Sequence, residues 1–464
     1  MSVVRRPVPR FTFARRPGMT LGLVLLGLLF VLIVLPLLRI TLVTLTPDGV
    51  AAWQDVLYGR PSSKLFYESL LNTLLVSVLA SVGCILLGSF LAWLVILTDV
   101  PGRGLLGSLA SLSFVIPSFA VALAWQVLFR NDRVGGSVGL FQELGFAVPD
   151  WLAWGFVPVV LSLVTHYYSL SFLLISAGLA SVSADVLEAA HMTDANRFRI
   201  LRGITFPLVL PAILASAVLT FASTVSNFAS PALLGLPVRF ETLSTRMYGM
   251  IRIGQVERGY VLALLLIVIS ALILWYGNYL RNKRGSHATI TGKGGRVKRF
   301  ELGKWRYPMF VITLVLCVAT AVLPTLVLIA SSFATQKGSL LAGFSTHYWI
   351  GLSNPDIAQG QAGVLRNPQV LNAGLFTLAF GGAVAFIGTF LGLLFGYAIA
   401  RTGGWLANVL AQFSYLPLLI PGIAFGAAYI ALFSQPIGPF PALYGTFALM
   451  VIAGIATLPD DGAV

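Results

Sequence analysis

The chain has 464 residues, of which 57% are hydrophobic and only 10% charged. Soluble domains carry roughly a quarter charged residues, so a soluble globular protein is excluded. The net charge of +14 does not point to nucleic acid, because it gathers in two segments that flank apolar runs, as cytoplasmic segments of membrane proteins do.

In chain order, a basic arm (Arg5, Arg6, Arg10, Arg15, Arg16) runs into an apolar stretch at 20–44. No small-residue cleavage site follows it, which predicts a retained signal-anchor helix. Further spans are predicted at 67–97, 105–129, 152–180, 206–235 and 259–280. After a polar linker come 308–333, 371–400, 406–433 and 442–457. A membrane-crossing helix needs about twenty apolar residues. The expected fold is an all-α polytopic membrane protein of about ten spans: a first half at 1–280, a linker at 281–307 and a second half at 308–464.

Loop charges orient the chain. The linker carries nine Lys/Arg against one acid, Glu301, and loop 181–205 carries Arg197, Arg199 and Arg202. Loop 130–151 is net acidic, with Asp132, Glu143 and Asp150 against Arg130 and Arg133. Six spans before the linker put the N-terminus and both basic segments inside and the acidic loop outside.

The halves resemble each other. Leu35-Pro36 recurs as Leu323-Pro324, and Phe114-Val115-Ile116-Pro117 as Leu418-Leu419-Ile420-Pro421. Leu128-Phe129 and Leu432-Phe433 follow the second pair. Two six-span units in tandem are the expectation, since internal repeats commonly build transporters around a central path. The step from Pro117 to Glu188, repeated from Pro421, passes the last residue, Val464. The second unit is therefore expected to be truncated or completed by a partner.

Little in the sequence suggests chemistry carried out by this chain. Cys84 and Cys317 form no CxxC, and His166, His191, His287 and His347 are scattered, so no metal site is expected. Thr291-Gly292-Lys293-Gly294 lacks the glycine and the Ser/Thr of a phosphate-binding loop. No bound cofactor is expected, and any ATP would be hydrolysed by another polypeptide. Gln126, His166, Tyr167, Ser226 and Asn227 are polar residues inside spans. They are candidates either for a transport path or for helix–helix hydrogen bonds.

The most informative stretch is 185–207. Asp185-Val186-Leu187-Glu188 has the form of a capping box, with both acids at the positive end of a short helix. Ala189 and Ala190 keep that helix narrow. A turn around Asp194 and Ala195 leads to a second short helix ending at Gly203, and Pro207 opens the next span. Glu188, Ala189, Ala190, Ala195, Ile204 and Pro207 resemble the EAA loop of binding-protein-dependent ABC importer permeases. Asp194 stands where that family has glycine; Asp adopts a left-handed turn more readily than most residues and less readily than Gly.

The resemblance implies a permease of the bacterial inner membrane that docks ABC ATPase subunits through this loop and receives cargo from a periplasmic binding protein. The fused layout and the linker (Ala288 to Gly294, then Leu302-Gly303-Lys304-Trp305-Arg306) are most similar to ferric-iron permeases. Thiamine permeases share the layout, and polyamine or phosphonate permeases share the loop. An ion-coupled secondary transporter would need intramembrane carboxylates, and a mere scaffold would not need the docking loop.

Overall fold

The computed structural model describes residues 17–181, 201–283, 299–336, 338–355, 360–414, 416–436 and 441–457. Its main helices are α1 (Gly18–Thr44), α2 (Ser63–Leu97), α3 (Arg103–Val115), α4 (Ser118–Phe129), α5 (Phe156–Ala180), α6 (Phe206–Ser226), α7 (Val256–Lys283), α8 (Gly303–Phe333), α9 (Pro368–Thr402), α10 (Gly404–Ser414), α11 (Gly422–Phe433) and α12 (Phe447–Thr457).

Among the described residues, seven helices are long and apolar enough to cross a membrane, or eight if α3 and α4 count as one bent span. The expectation of ten is corrected at the second half. The stretch 406–433 breaks into α10, a single turn at Leu416–Leu419, and α11. Pro417 and Pro421 supply no backbone N–H there, and Pro421 takes up an extended ψ of 127°, so a continuous helix cannot form. The last stretch, 442–457, is helical only over the 11 residues of α12. That is about 16 Å of helix, short of a hydrocarbon core of about 30 Å.

Two further expectations are refined. The span at 206–235 ends as a helix at Ser226, where Asn227 turns extended (ψ 125°). The expected helical fold holds, with one small antiparallel hairpin among the described residues, β1 (Ala334–Gln336) and β2 (Ser339–Phe344). Glu143 holds this hairpin by accepting the N–H groups of Leu340 and Leu341 at 3.2 and 3.4 Å.

The prolines explain the irregular turns. In α1 a π-turn over Phe30–Val34 precedes Leu35-Pro36, and in α8 a π-turn over Val318–Val322 precedes Leu323-Pro324. Proline cannot bond the carbonyl four residues back, and widening the turn lets the helix continue past it. α3 and α4 meet at 97° at Ile116-Pro117, where both residues are extended. Both α4 and α11 start directly after a proline and run 12 residues.

Contacts divide the chain into two compact units, one made of 1–43 with 374–464 and the other of 44–373. In the first, Gly18 and Gly22 of α1 lie against Arg401, Thr402 and Leu406, and the Tyr429 hydroxyl donates to the Leu32 carbonyl at 2.7 Å. In the second, α2 and α5 pack face to face. A Cβ on Gly88 would sit 2.6 Å from the Ser171 Cβ and 2.9 Å from the Tyr168 carbonyl oxygen, so only glycine permits this approach. A buried cluster of Cys84, Leu91, Leu97, Ala110, Tyr168, Phe172, Leu179, Val209 and Cys317 ties α2, α3, α5, α6 and α8 together. Small residues and hydroxyls at such contacts are the usual way to join helices in lipid, where burying apolar surface gives no driving force. The Ser216 hydroxyl donating to Ser171 at 2.8 Å is one instance.

Candidate functional site

The loop singled out by the sequence begins and returns at neighbouring points. Gly178, near the end of α5, meets Ala212 of α6 so closely that a Cβ there would lie 2.6 Å from the alanine methyl. Leu179 and Val209 share the buried cluster, and Ile204 packs on it. Ile204 is half-buried in a π-turn over Leu201–Thr205, and Pro207 is exposed at the second position of α6. As at Pro36 and Pro324, a π-turn directly before the proline lets the helix continue past a residue that offers no N–H. Asp185, Glu188, Ala189, Ala190, Asp194 and Ala195 lie outside the described residues.

The five polar span residues are only partly brought together. Asn227 is the junction: its amide N–H groups donate to the Ser118 hydroxyl at 3.1 Å and the Tyr167 hydroxyl at 3.2 Å. Its side-chain oxygen accepts the Ser230 N–H at 3.0 Å, and its carbonyl accepts from the Ser244 hydroxyl at 3.2 Å. His166 is buried, stands edge-on to Tyr167 with ring centres 4.4 Å apart, and leaves its Nδ1 without a protein partner. Ser226 is the last residue of α6, directly before this junction. Gln126 lies apart, its amide donating to the Leu233 carbonyl at 2.6 Å, where it ties α4 to the π-turn Pro231–Gly235.

The junction therefore sits where two helices are interrupted, α3/α4 at Pro117 and α6 at Asn227. A helix start presents free N–H groups and a helix end free carbonyls, so both interruptions put backbone polarity inside an apolar bundle. Such backbone is tolerated at membrane depth where protein covers it or where it lines a cavity. Among the described residues no group of three or more His, Cys, Asp or Glu could hold a metal, and both cysteines are free and buried.

Sequence reasoning passed over several residues. Ser118 could have been found as the first residue after a helix-breaking proline. Ser113, Tyr168 and Thr320 could not, because their meeting is tertiary. The Tyr168 hydroxyl lies 3.1 Å from that of Ser113 and 2.9 Å from that of Thr320, joining α3, α5 and α8. Asp99 was also missed. It follows α2, and its carboxylate accepts the Leu302 N–H at 2.9 Å.

Residues 84–285 match the family described as binding-protein-dependent transport system inner membrane component. Two ferric transport system permease proteins named FbpB, from Haemophilus influenzae and Actinobacillus pleuropneumoniae, are 27% and 26% identical over 335 and 337 residues. Each alignment covers 70% of this chain, and 49% and 45% of the relative. The chain thus spans about half the length of these relatives. A solved bacterial alginate ABC transporter, in complex with a periplasmic protein bound to alginate pentasaccharide, is similar at 18% identity. That match covers 60% of this chain and 97% of the other, with a TM-score of 0.47.

Proposed function

From the match of residues 84–285 to the binding-protein-dependent transport inner membrane components, we propose that this chain is the membrane permease of an ATP-driven importer. In this reading a periplasmic binding protein delivers the cargo to the outer face. ATPase subunits close on ATP, and the stretch 185–207 converts their closure into alternating access. The observation that carries the reading is the family match. It spans α5 and α6, which hold both ends of that stretch in one buried cluster.

Ferric iron is the proposed cargo. The alignments to the two ferric permeases are longer than the 280 residues of the first half, so they cross the linker into the second. The chain is read as two permease units in tandem, 1–280 and 308–464, with the linker and N-terminus on the cytoplasmic side of the inner membrane. The paired Leu-Pro π-turns and the paired post-proline helices α4 and α11 support that reading. ATP is bound and hydrolysed on the partner, and this chain holds no cofactor. The polar junction at Asn227 is the proposed part of the path.

An ion-coupled transporter is the disfavoured rival. Among the described residues, the acids within the long helices are Glu68 and Glu257, each close to a helix end. The deciding experiment is purification of the chain with its ATPase and binding protein, followed by uptake of ferric iron into vesicles against thiamine, polyamine and phosphonate competitors. ATP-dependent iron uptake is expected. Uptake driven by an ion gradient without ATP would refute the reading.

A further inference from the structure

The segment 299–306 joins the linker to α8, and its backbone is pinned to the turn between α2 and α3. The Phe300 N–H donates to the Leu97 carbonyl at 2.7 Å, and the Asp99 N–H donates to the Phe300 carbonyl at 3.2 Å. Together these make a short parallel bridge between Thr98 and Phe300. The Asp99 carboxylate then accepts the Leu302 N–H at 2.9 Å through one oxygen and faces Arg306 at 3.8 Å through the other.

The turn is shaped for this contact. Thr98 is fully buried and extended, its hydroxyl donating to the Leu94 carbonyl at 2.6 Å while it accepts the Val100 N–H. Gly102 has a φ of +62°, which a side chain rarely adopts, and the Phe310 ring approaches within 3.1 Å of where its Cβ would be. The Phe300 side chain packs on the buried cluster of Leu97, Leu179 and Val209, as does Ile204. The end of the linker and both bases of the 182–200 segment thus share one patch of core.

We infer that residues 299–306 are a clasp that holds the bases of the coupling segment, with Asp99 as its positioning residue. A tether needs only length. This contact instead uses two backbone hydrogen bonds, a carboxylate that accepts a third N–H, and an aromatic side chain packed on the same buried cluster as Ile204. The clasp keeps the ends of α5 and α6 rigid, so force applied to the loop between them reaches the helices rather than being lost in local bending. The coupling role rests on the importer reading; the clasp itself does not.

The test uses the full chain, with Cys84 and Cys317 replaced by serine, in inside-out membrane vesicles with Thr205→Cys, a buried position at the base of the segment, as a probe of maleimide labelling rate. Asp99→Ala should speed labelling about tenfold or more, the range that loss of a hydrogen bond to a charged group commands. Asp99→Asn keeps an oxygen for the Leu302 N–H and should stay close to the parent. L302P removes the donor at a residue whose φ of −80° already suits proline, and should match Asp99→Ala. Cutting the linker at a protease site inserted between 284 and 298 should leave the rate unchanged.

Equal rates in Asp99→Ala and the parent would overturn the clasp. So would a cut linker that speeds labelling as much as Asp99→Ala does. With ATPase and binding protein added, Asp99→Ala should lower cargo moved per ATP several-fold while ATPase association persists. Unchanged cargo per ATP despite faster labelling would overturn the coupling role alone. A chain that binds no ATPase would refute the importer reading and leave the labelling result standing.

Discussion

The Tyr429 hydroxyl donates to the Leu32 carbonyl at 2.7 Å, and Leu32 is the residue whose carbonyl Pro36, four positions on, cannot serve. The same relation recurs in the other unit. Pro324 leaves the Thr320 carbonyl short of a donor, and the Ser113 hydroxyl lies 3.4 Å from it. In both cases a hydroxyl on a neighbouring helix compensates for a proline that interrupts a span. An unsatisfied carbonyl is costly where no water can reach it, so these hydroxyls belong to the same device as the prolines.

Tyr429→Phe keeps the ring and removes only the donor. It should lower stability by about 1–2 kcal/mol, the cost of leaving a buried acceptor unpaired. Tyr429→Phe combined with Pro36→Ala should recover much of that loss, because alanine restores the backbone N–H. Denaturant titration of the purified chain in detergent gives both values. Equal stability of Tyr429→Phe and the parent would show that the hydroxyl is idle.

Gly88→Ala tests the α2–α5 contact. The added methyl would meet the Ser171 Cβ at 2.6 Å and the Phe172 N at 2.8 Å, and backbone atoms cannot yield as side chains do. Overpacking of this kind costs about 1–3 kcal/mol. Gly203→Ala, whose Cβ would meet nothing within 4 Å, is the control. A loss of thermal stability confined to Gly88→Ala is expected.

The sequence made some of this legible and hid the rest, for physical reasons. Pro36 with Pro324, and Pro117 with Pro421, were legible as paired positions of a repeat, but the breaks that Pro117 and Pro421 impose on their spans were not read from them. The short α12 and the broken 406–433 stretch were read as full spans because composition reports apolarity and not helix length. Ile204 and Pro207 were singled out through the resemblance to the EAA loop, and Ile204 packs on the Leu97–Leu179–Val209 cluster while Pro207 is exposed. Asp99 looked like an ordinary loop acid, since its partner Leu302 lies 203 positions away. The Tyr168–Thr320 contact, 152 positions apart, was hidden in the same way.

Glu188→Lys tests the proposed docking role of 185–207. A cation at the N-terminal end of a helix loses favourable dipole interaction worth about 0.3–1 kcal/mol and also reverses the charge offered to a partner. Weaker co-purification of the ATPase is expected, with membrane insertion unaffected. Retention of full ATPase binding and full transport would remove 185–207 from the coupling role.

Ser286→Cys addresses orientation. The linker's positive charge predicts a cytoplasmic location, so an impermeant thiol reagent should label this position in inside-out vesicles and not in intact cells. The buried Cys84 and Cys317 provide the background rate. Ready labelling in intact cells would invert the topology.

Asn227→Ala separates path from scaffold. The amide holds Ser118, Tyr167 and the Ser230 N–H at once, so its removal should cost stability, about 1–3 kcal/mol for the buried groups it strands. Gln126→Ala also strands a part-buried acceptor, the Leu233 carbonyl, but at a site away from the junction. The two variants should therefore lose similar stability. If the junction lies on the path, transport per folded molecule should fall several-fold for Asn227→Ala and stay near the parent for Gln126→Ala. Matching transport in the two variants, once corrected for folded protein, would make Asn227 a scaffold residue only. Asn227→Asp sharpens the comparison. It keeps an oxygen for the Ser230 N–H, loses the two donated bonds, and places a charge between the interrupted helices, where a cationic cargo would feel it directly.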